Sequence, residues 1–167
     1  MKRGDTVSIF GAEDFKRLEQ LLRDFVRDSN ARSAVLIDRV GRLLSAAGQT
    51  RDFDEVAFAS LAAADFAASD QLATRLGEKQ FAALYHQGEN SSMYLVDISA
   101  TAILAALFDG GTTLGLVRLK TRDFIPGFAA VIADAESREE SESGVVDADW
   151  IVDAEDEIDR LFGNRED

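Results

Sequence analysis

One stretch constrains this chain more than any other. Residues 56–76, VAFASLAAADFAASDQLATRL, hold eight alanines in 21 positions, and Ser60 and Ser69 are also small. Alanine is the strongest helix former because ordering it costs no side-chain entropy. A single helix over about residues 54–76 is therefore predicted. An ordinary surface helix buries one stripe and solvates the rest with long charged side chains. Here the only charges are Asp65, Asp70 and Arg75. Small residues lie nearly all round, so the helix can be approached closely on two sides. One side must be its own sheet. Composition leaves two readings of the other: a core helix, or an interface to a subunit or partner.

Charge is distributed unevenly. The net charge is −13, and residues 134–167 hold 14 acids against three arginines, a net −11. The first 133 residues are nearly neutral. A neutral body with an acidic tail does not neutralise phosphates, so nucleic acid is not an expected partner. The absence of cysteine excludes disulfides and thiolate metal sites. No apolar run is long enough for a membrane span or a signal peptide, and a cytoplasmic location is expected.

Residues 12–29 read as the first helix, with Phe15, Leu18, Leu22, Phe25 and Val26 on one face and Asn30 as a stop. Residues 33–38 (SAVLID) and 43–47 read as a hairpin, with Gly41 in the left-handed position of its turn. Asp52 with Glu55 resembles a capping box for the alanine-rich helix, and Gly77 is its stop. Strands are expected over 80–86, 93–98 and 101–108. Thr112 or Thr113 caps a last helix, whose phase runs through Leu114, Val117, Thr121, Phe124, Phe128 and Val131. Pro126 falls inside it and predicts a kink or break. Residues 137–149 read as an acidic linker, of which the polar run 137–144 reads as disordered. Residues 150–163 then form an amphipathic peptide with Ile151, Ala154, Ile158, Leu161 and Phe162 on one stripe. Such a stripe suits a groove on another protein or on the chain's own body.

The expected order is αββαβββα: an α+β domain over residues 12–136 with a five-stranded antiparallel sheet and helices on both faces. An N-terminal extension (1–11) precedes it. A flexible acidic tail with a short C-terminal helix follows, ending in residues 164–167.

Chemistry is sparse. Gly110-Gly111 and Gly115 lack the lysine and hydroxyl spacing of a phosphate loop. His86 is the only histidine, and the acids nearby in sequence, Glu78 and Glu89, have no ligand spacing. No nucleophile is tied to it by a motif. The acidic tail lacks the alternation and glycine of a calcium loop. Neither catalysis, metal nor cofactor is expected.

Three segments together resemble the roadblock family and, within it, the bacterial MglB-like proteins: Ala47-Gly48-Gln49-Thr50, His86-Gln87-Gly88-Glu89 and Leu114-Gly115-Leu116-Val117-Arg118-Leu119. The likeness covers residues 34–120 closely and reaches more loosely to the first helix and the DEIDRLFG ending. The resemblance implies a homodimer in which the strand after the long helix pairs with its mate. Paired long helices then form a platform for a small Ras-like GTPase of the MglA-like kind, with two copies of this chain per GTPase. Such dimers accelerate GTP hydrolysis in cell polarity and motility without an arginine finger, so the chain is not itself the enzyme. Carried onto this sequence, the platform is Ala63, Ala64, Ala67, Ala68 and Gln71. The dimer edge is Phe81, Leu84 and His86, and the docking peptide rests on Ile158, Leu161 and Phe162. Two rivals stand beside this reading: a roadblock scaffold that localises partners through its tail peptide, and a small-molecule sensor domain.

Overall fold

The computed structural model describes the backbone of residues 9–162 and the side chains of residues 9–139 and of Ser141. Eight elements follow in order: α1 (Ala12–Ser29), β1 (Ser33–Asp38), β2 (Leu43–Gly48), α2 (Glu55–Arg75), β3 (Ala83–Gln87), β4 (Ser92–Asp97), β5 (Ala102–Phe108) and α3 (Leu114–Phe162). This is the expected αββαβββα order. The strands form one antiparallel sheet, ordered β2-β1-β5-β4-β3.

Alternation along the strands divides the core in two. On one face, Leu36, Leu104 and Val96 meet Leu18, Leu22 and Phe25 of α1 and Val117, Phe128 and Ile132 of α3. On the other, Val35, Ile37, Leu95 and Ile103 meet Ala59, Ala62, Ala63 and Phe66 of α2. Central β1 is buried along its whole length because helices cover both its faces.

Local chemistry explains the boundaries. Gly11 begins α1, where its N–H donates to the Asp14 carboxylate at 2.9 Å. Asn30, left-handed at φ 54°, ends it. The N-cap of α2 is Asp54, not Asp52: its carboxylate accepts from the N–H groups of Val56 and Ala57 at 3.0 Å each. Asp52 is instead engaged by Arg32 at 2.8 Å. Past the end of α2, Gly77 N–H donates to Thr74 C=O at 3.1 Å and Glu78 N–H to Ala73 C=O at 2.9 Å, with Gly77 at φ +81°. That pair of bonds is a Schellman stop, and glycine meets its left-handed requirement. Thr113 caps α3 by accepting from Leu116 N–H at 3.2 Å, while the Thr112 hydroxyl donates to Ser29 C=O at 2.7 Å.

Helix α3 runs further than the sequence suggests. Of the kink or break expected at Pro126, the break does not occur: helical backbone runs through it. Pro126 and Arg122 are both exposed, so water can take up the Arg122 carbonyl left without its N–H. Helical backbone also continues through residues 137–149, the segment read as an acidic linker, and on to Phe162. Glutamate and arginine are good helix formers, and extending a docked helix avoids the cost of a new nucleus. Two ion pairs tie α3 to α1: Arg17 to Asp134 at 3.0 Å, and Arg138 to the buried Asp14.

Candidate interaction surface on helix 2 and strand 3

Helix α2 seats on the sheet through Ala59, Ala62, Ala63, Phe66 and Ala73. Alanines bury little area each, so Phe66, 1% exposed, supplies the largest single burial, worth about 2–3 kcal/mol. The opposite side of α2 is open. Ala64, Ala67, Ala68 and Gln71 are exposed. Ala63 is not on that side. It is 5% exposed and packs toward the β1–β2 turn, in the core of its own domain. Three further residues of the open side are absent from the sequence-derived platform: Val56, Leu61 and Leu72 are 65%, 71% and 58% exposed. The signal for Leu61 and Leu72 is their phase, since with Ala57, Ala64 and Ala68 they recur every three or four residues opposite Phe66.

Strand β3 lies at the sheet edge and pairs only with β4, so its outer row of backbone N–H and C=O groups is unpaired within the described residues. Its five residues are half-buried or exposed. Leu84 is half-buried against the α2-side core. Phe81 is half-buried and precedes β3, which begins at Ala83, three residues later than the sequence suggests. His86 is half-exposed, and its Nε2 lies 2.7 Å from Asp65 Oδ2 of α2. The open face of α2 and the free edge of β3 are thus joined side chain to side chain.

A second strut holds α2 from below. Arg39, in the β1–β2 turn, lies 3.1 Å from Asp70 Oδ2 and 2.6 Å from Asp97 Oδ1, with its guanidinium 4.7 Å from the Phe66 ring centre. Two of the three charges inside the alanine-rich stretch, Asp65 and Asp70, are therefore tethers to distant elements. Among the described residues no group of histidine and acids is placed to hold a metal ion. No helix among them is long and apolar enough to cross a membrane. The side chains of Ile158, Leu161 and Phe162 lie outside the described residues.

The Roadblock/LC7 domain profile matches residues 17–108, more than half of the chain. The chain belongs to the Roadblock/LC7 family. Among solved structures it is similar to MglB of Myxococcus xanthus, with 32% identity and a TM-score of 0.72 over 75% of this chain and 95% of that one. It is similar to the gliding protein MglB of Thermus thermophilus, with 30% identity and a TM-score of 0.68 over 75% and 94%. An MglB described as having a tetrameric arrangement shares 31% identity at a TM-score of 0.71, over 75% and 94%. A comparison with curated protein sequences returned no match.

Proposed function

We propose that this chain is a homodimeric MglB-like regulator that raises GTP hydrolysis by an MglA-like small GTPase, two copies serving one GTPase. The observation that carries the proposal is the open, small-residue face of α2 beside the unpaired β3 edge, in a chain 32% identical to MglB. Pairing of β3 with its mate continues one sheet across two chains and brings the two α2 helices side by side. Ala64, Ala67, Ala68 and Gln71 then form the platform, with the exposed Leu61 and Leu72 beside them as apolar contacts. Leu84 and His86 lie at the dimer edge, with Phe81 just before it. Ile158, Leu161 and Phe162 make a second contact on the GTPase, raising its effective concentration at the platform.

Phosphoryl transfer needs positioned groups and charge stabilisation more than new covalent chemistry. A platform that binds the competent arrangement of the switch loops more tightly shifts the GTPase toward it without donating a catalytic side chain. Acting this way, the protein serves cell polarity or motility from the cytoplasm, concentrated at a pole.

The test is single-turnover GTP hydrolysis by the cognate GTPase with and without this chain. The expected result is acceleration on the order of tenfold or more, lost in Ala67→Arg. Binding without acceleration overturns the activator reading and leaves a scaffold. Deleting residues 142–167, which spares the Arg138 pair, separates the two readings: an activator keeps part of its stimulation, and a scaffold loses its partner.

A further inference from the structure

The first turns of α3 carry a charge pattern unlike the rest of the chain. Arg118, Lys120 and Arg122 fall within five residues, in a protein of net charge −13. Asp123 is the only acid between Thr112 and Ala133. Among the described residues most other arginines are paired: Arg17, Arg23, Arg27, Arg32, Arg39 and Arg138 each meet a carboxylate. Arg118, Lys120 and Arg122 meet none among the described residues. Arg118 and Arg122 are exposed and four residues apart, so they are neighbours on one helix face. Leu119, 45% exposed, adjoins both. The ridge is a leucine flanked by unpaired guanidinium groups, on the helix that covers the sheet face opposite α2.

A complementary segment exists in the same sequence. Residues 147–159 hold seven acids and no lysine or arginine, and the apolar stripe of Ile151, Ala154, Ile158, Leu161 and Phe162 overlaps them. Its own ridge is out of reach while the helix is continuous. Residues 151–162 belong to the same 49-residue helix and lie about 50–65 Å along it from Arg118, at a rise of ~1.5 Å per residue. The occupant must come from another molecule.

We propose that the Arg118–Leu119–Arg122 ridge is a docking surface for the acidic C-terminal segment of a second copy of this chain. The carboxylates of that segment meet the guanidinium groups, and one of its apolar side chains covers Leu119. The ridge is remote from α2, so this contact is distinct from dimerisation through β3. Because the proposed GTPase contact uses the same segment, self-docking competes with it and withholds the segment when GTPase is scarce. Self-docking itself needs no GTPase.

The test places a photo-crosslinking amino acid at position 119 of the full chain and mixes isotope-labelled with unlabelled protein. Irradiation is expected to join labelled to unlabelled chains, with the products mapping to residues 145–162. The yield should fall about tenfold between 50 mM and 500 mM salt, as screened charges lose their attraction. It should vanish when Arg118→Glu and Arg122→Glu are combined, with circular dichroism confirming that the fold is kept. Adding Asp156→Arg and Asp159→Arg to the other copy should restore it. Products within one chain only, products outside residues 145–162, or a yield indifferent to salt and to the double substitution would each overturn the proposal. So would a ridge that crosslinks only to added GTPase.

Discussion

Arg39 Nη1 lies 3.1 Å from Asp70 Oδ2, joining the β1–β2 turn to the second half of α2. Because α2 seats largely through alanines, this contact and the stacking of the same guanidinium on Phe66 fix an orientation that apolar burial alone specifies weakly. Arg39→Ala is expected to cost about 2 kcal/mol in denaturant unfolding, since it also removes the counter-charge of Asp70 and of the mostly buried Asp97. Arg39→Lys should recover only part of that, because an ammonium cannot span both carboxylates and lie flat on a ring.

Neighbouring alanines of α2 should respond in opposite ways. Ala63→Arg forces a charge into the core and is expected to cost about 4 kcal/mol or more, or to prevent folding. Ala67→Arg lies on the open side and should leave the unfolding free energy of the single chain within about 0.5 kcal/mol. Sedimentation should nonetheless show weaker self-association for Ala67→Arg. A destabilised Ala67→Arg would mean that this side of α2 is covered within its own chain.

Gly41 answers to two constraints at once. Its φ is +90°, and a Cβ there would sit 2.9 Å from the Ser60 Cα. Gly41→Ala is expected to cost about 2 kcal/mol or more, with strain and overlap adding. Thermal unfolding of the variant checks this, and a shift no larger than that of Gly77→Ala would argue against the close approach, because Gly77 shares the backbone strain with nothing near its missing side chain.

Asp14 predicts an acid-dependent loss. Burial pushes its carboxyl up, but the Gly11 N–H, Arg138 and Arg17 together pull harder the other way, and it settles below its ordinary 3.8. A carboxyl lowered in the folded state contributes stability that is fully present above the unfolded value and is lost as pH falls through the folded one. Asp14→Asn keeps an acceptor for Gly11 and removes the charge. It should destabilise by about 1 kcal/mol at neutral pH. The gap between the two proteins should close as pH drops below 3.8. Denaturation midpoints measured between neutral pH and strong acid read the difference directly.

Pro126 should be dispensable to the fold. The helix continues through it at an exposed position, so Pro126→Ala gains a backbone bond to Arg122 and a better helix former. An increase of about 1 kcal/mol or more in unfolding free energy is expected. A decrease would show that the proline ring packs against something outside this chain.

Much of this architecture was legible in the residues because it is local. Helical phase placed α1 and α3 through Leu18, Leu22, Phe25, Val117 and Phe128. Glycine and asparagine marked the Gly41 turn and the stops at Gly77 and Asn30, all three left-handed in the structure, and the five strands stood out between breakers. Motif resemblance then supplied the family. Where local signals competed, the reading slipped. The Asp52–Glu55 spacing pointed to the wrong cap, because Arg32, twenty residues away, draws Asp52 off and Asp54 caps α2 instead. Pro126 reads as a breaker until its exposure is known.

The faces of α2 are the clearest case of what only the tertiary structure decided. An alanine-rich helix has little contrast between its sides, so nothing in residues 56–76 states that Ala63 turns inward while Ala64 and Ala67 turn out. That choice is made by Phe66 entering the core, by Gly41 approaching Ser60, and by Arg39 and His86 engaging Asp70 and Asp65. Strand order is equally non-local: β3 becomes an edge only because β5 inserts between β1 and β4. The sequence alone determined which elements form and that α2 could be approached from two sides. Long-range pairing decided which side is open and placed the free β3 edge beside it, because those energies arise between residues that are neighbours only after folding.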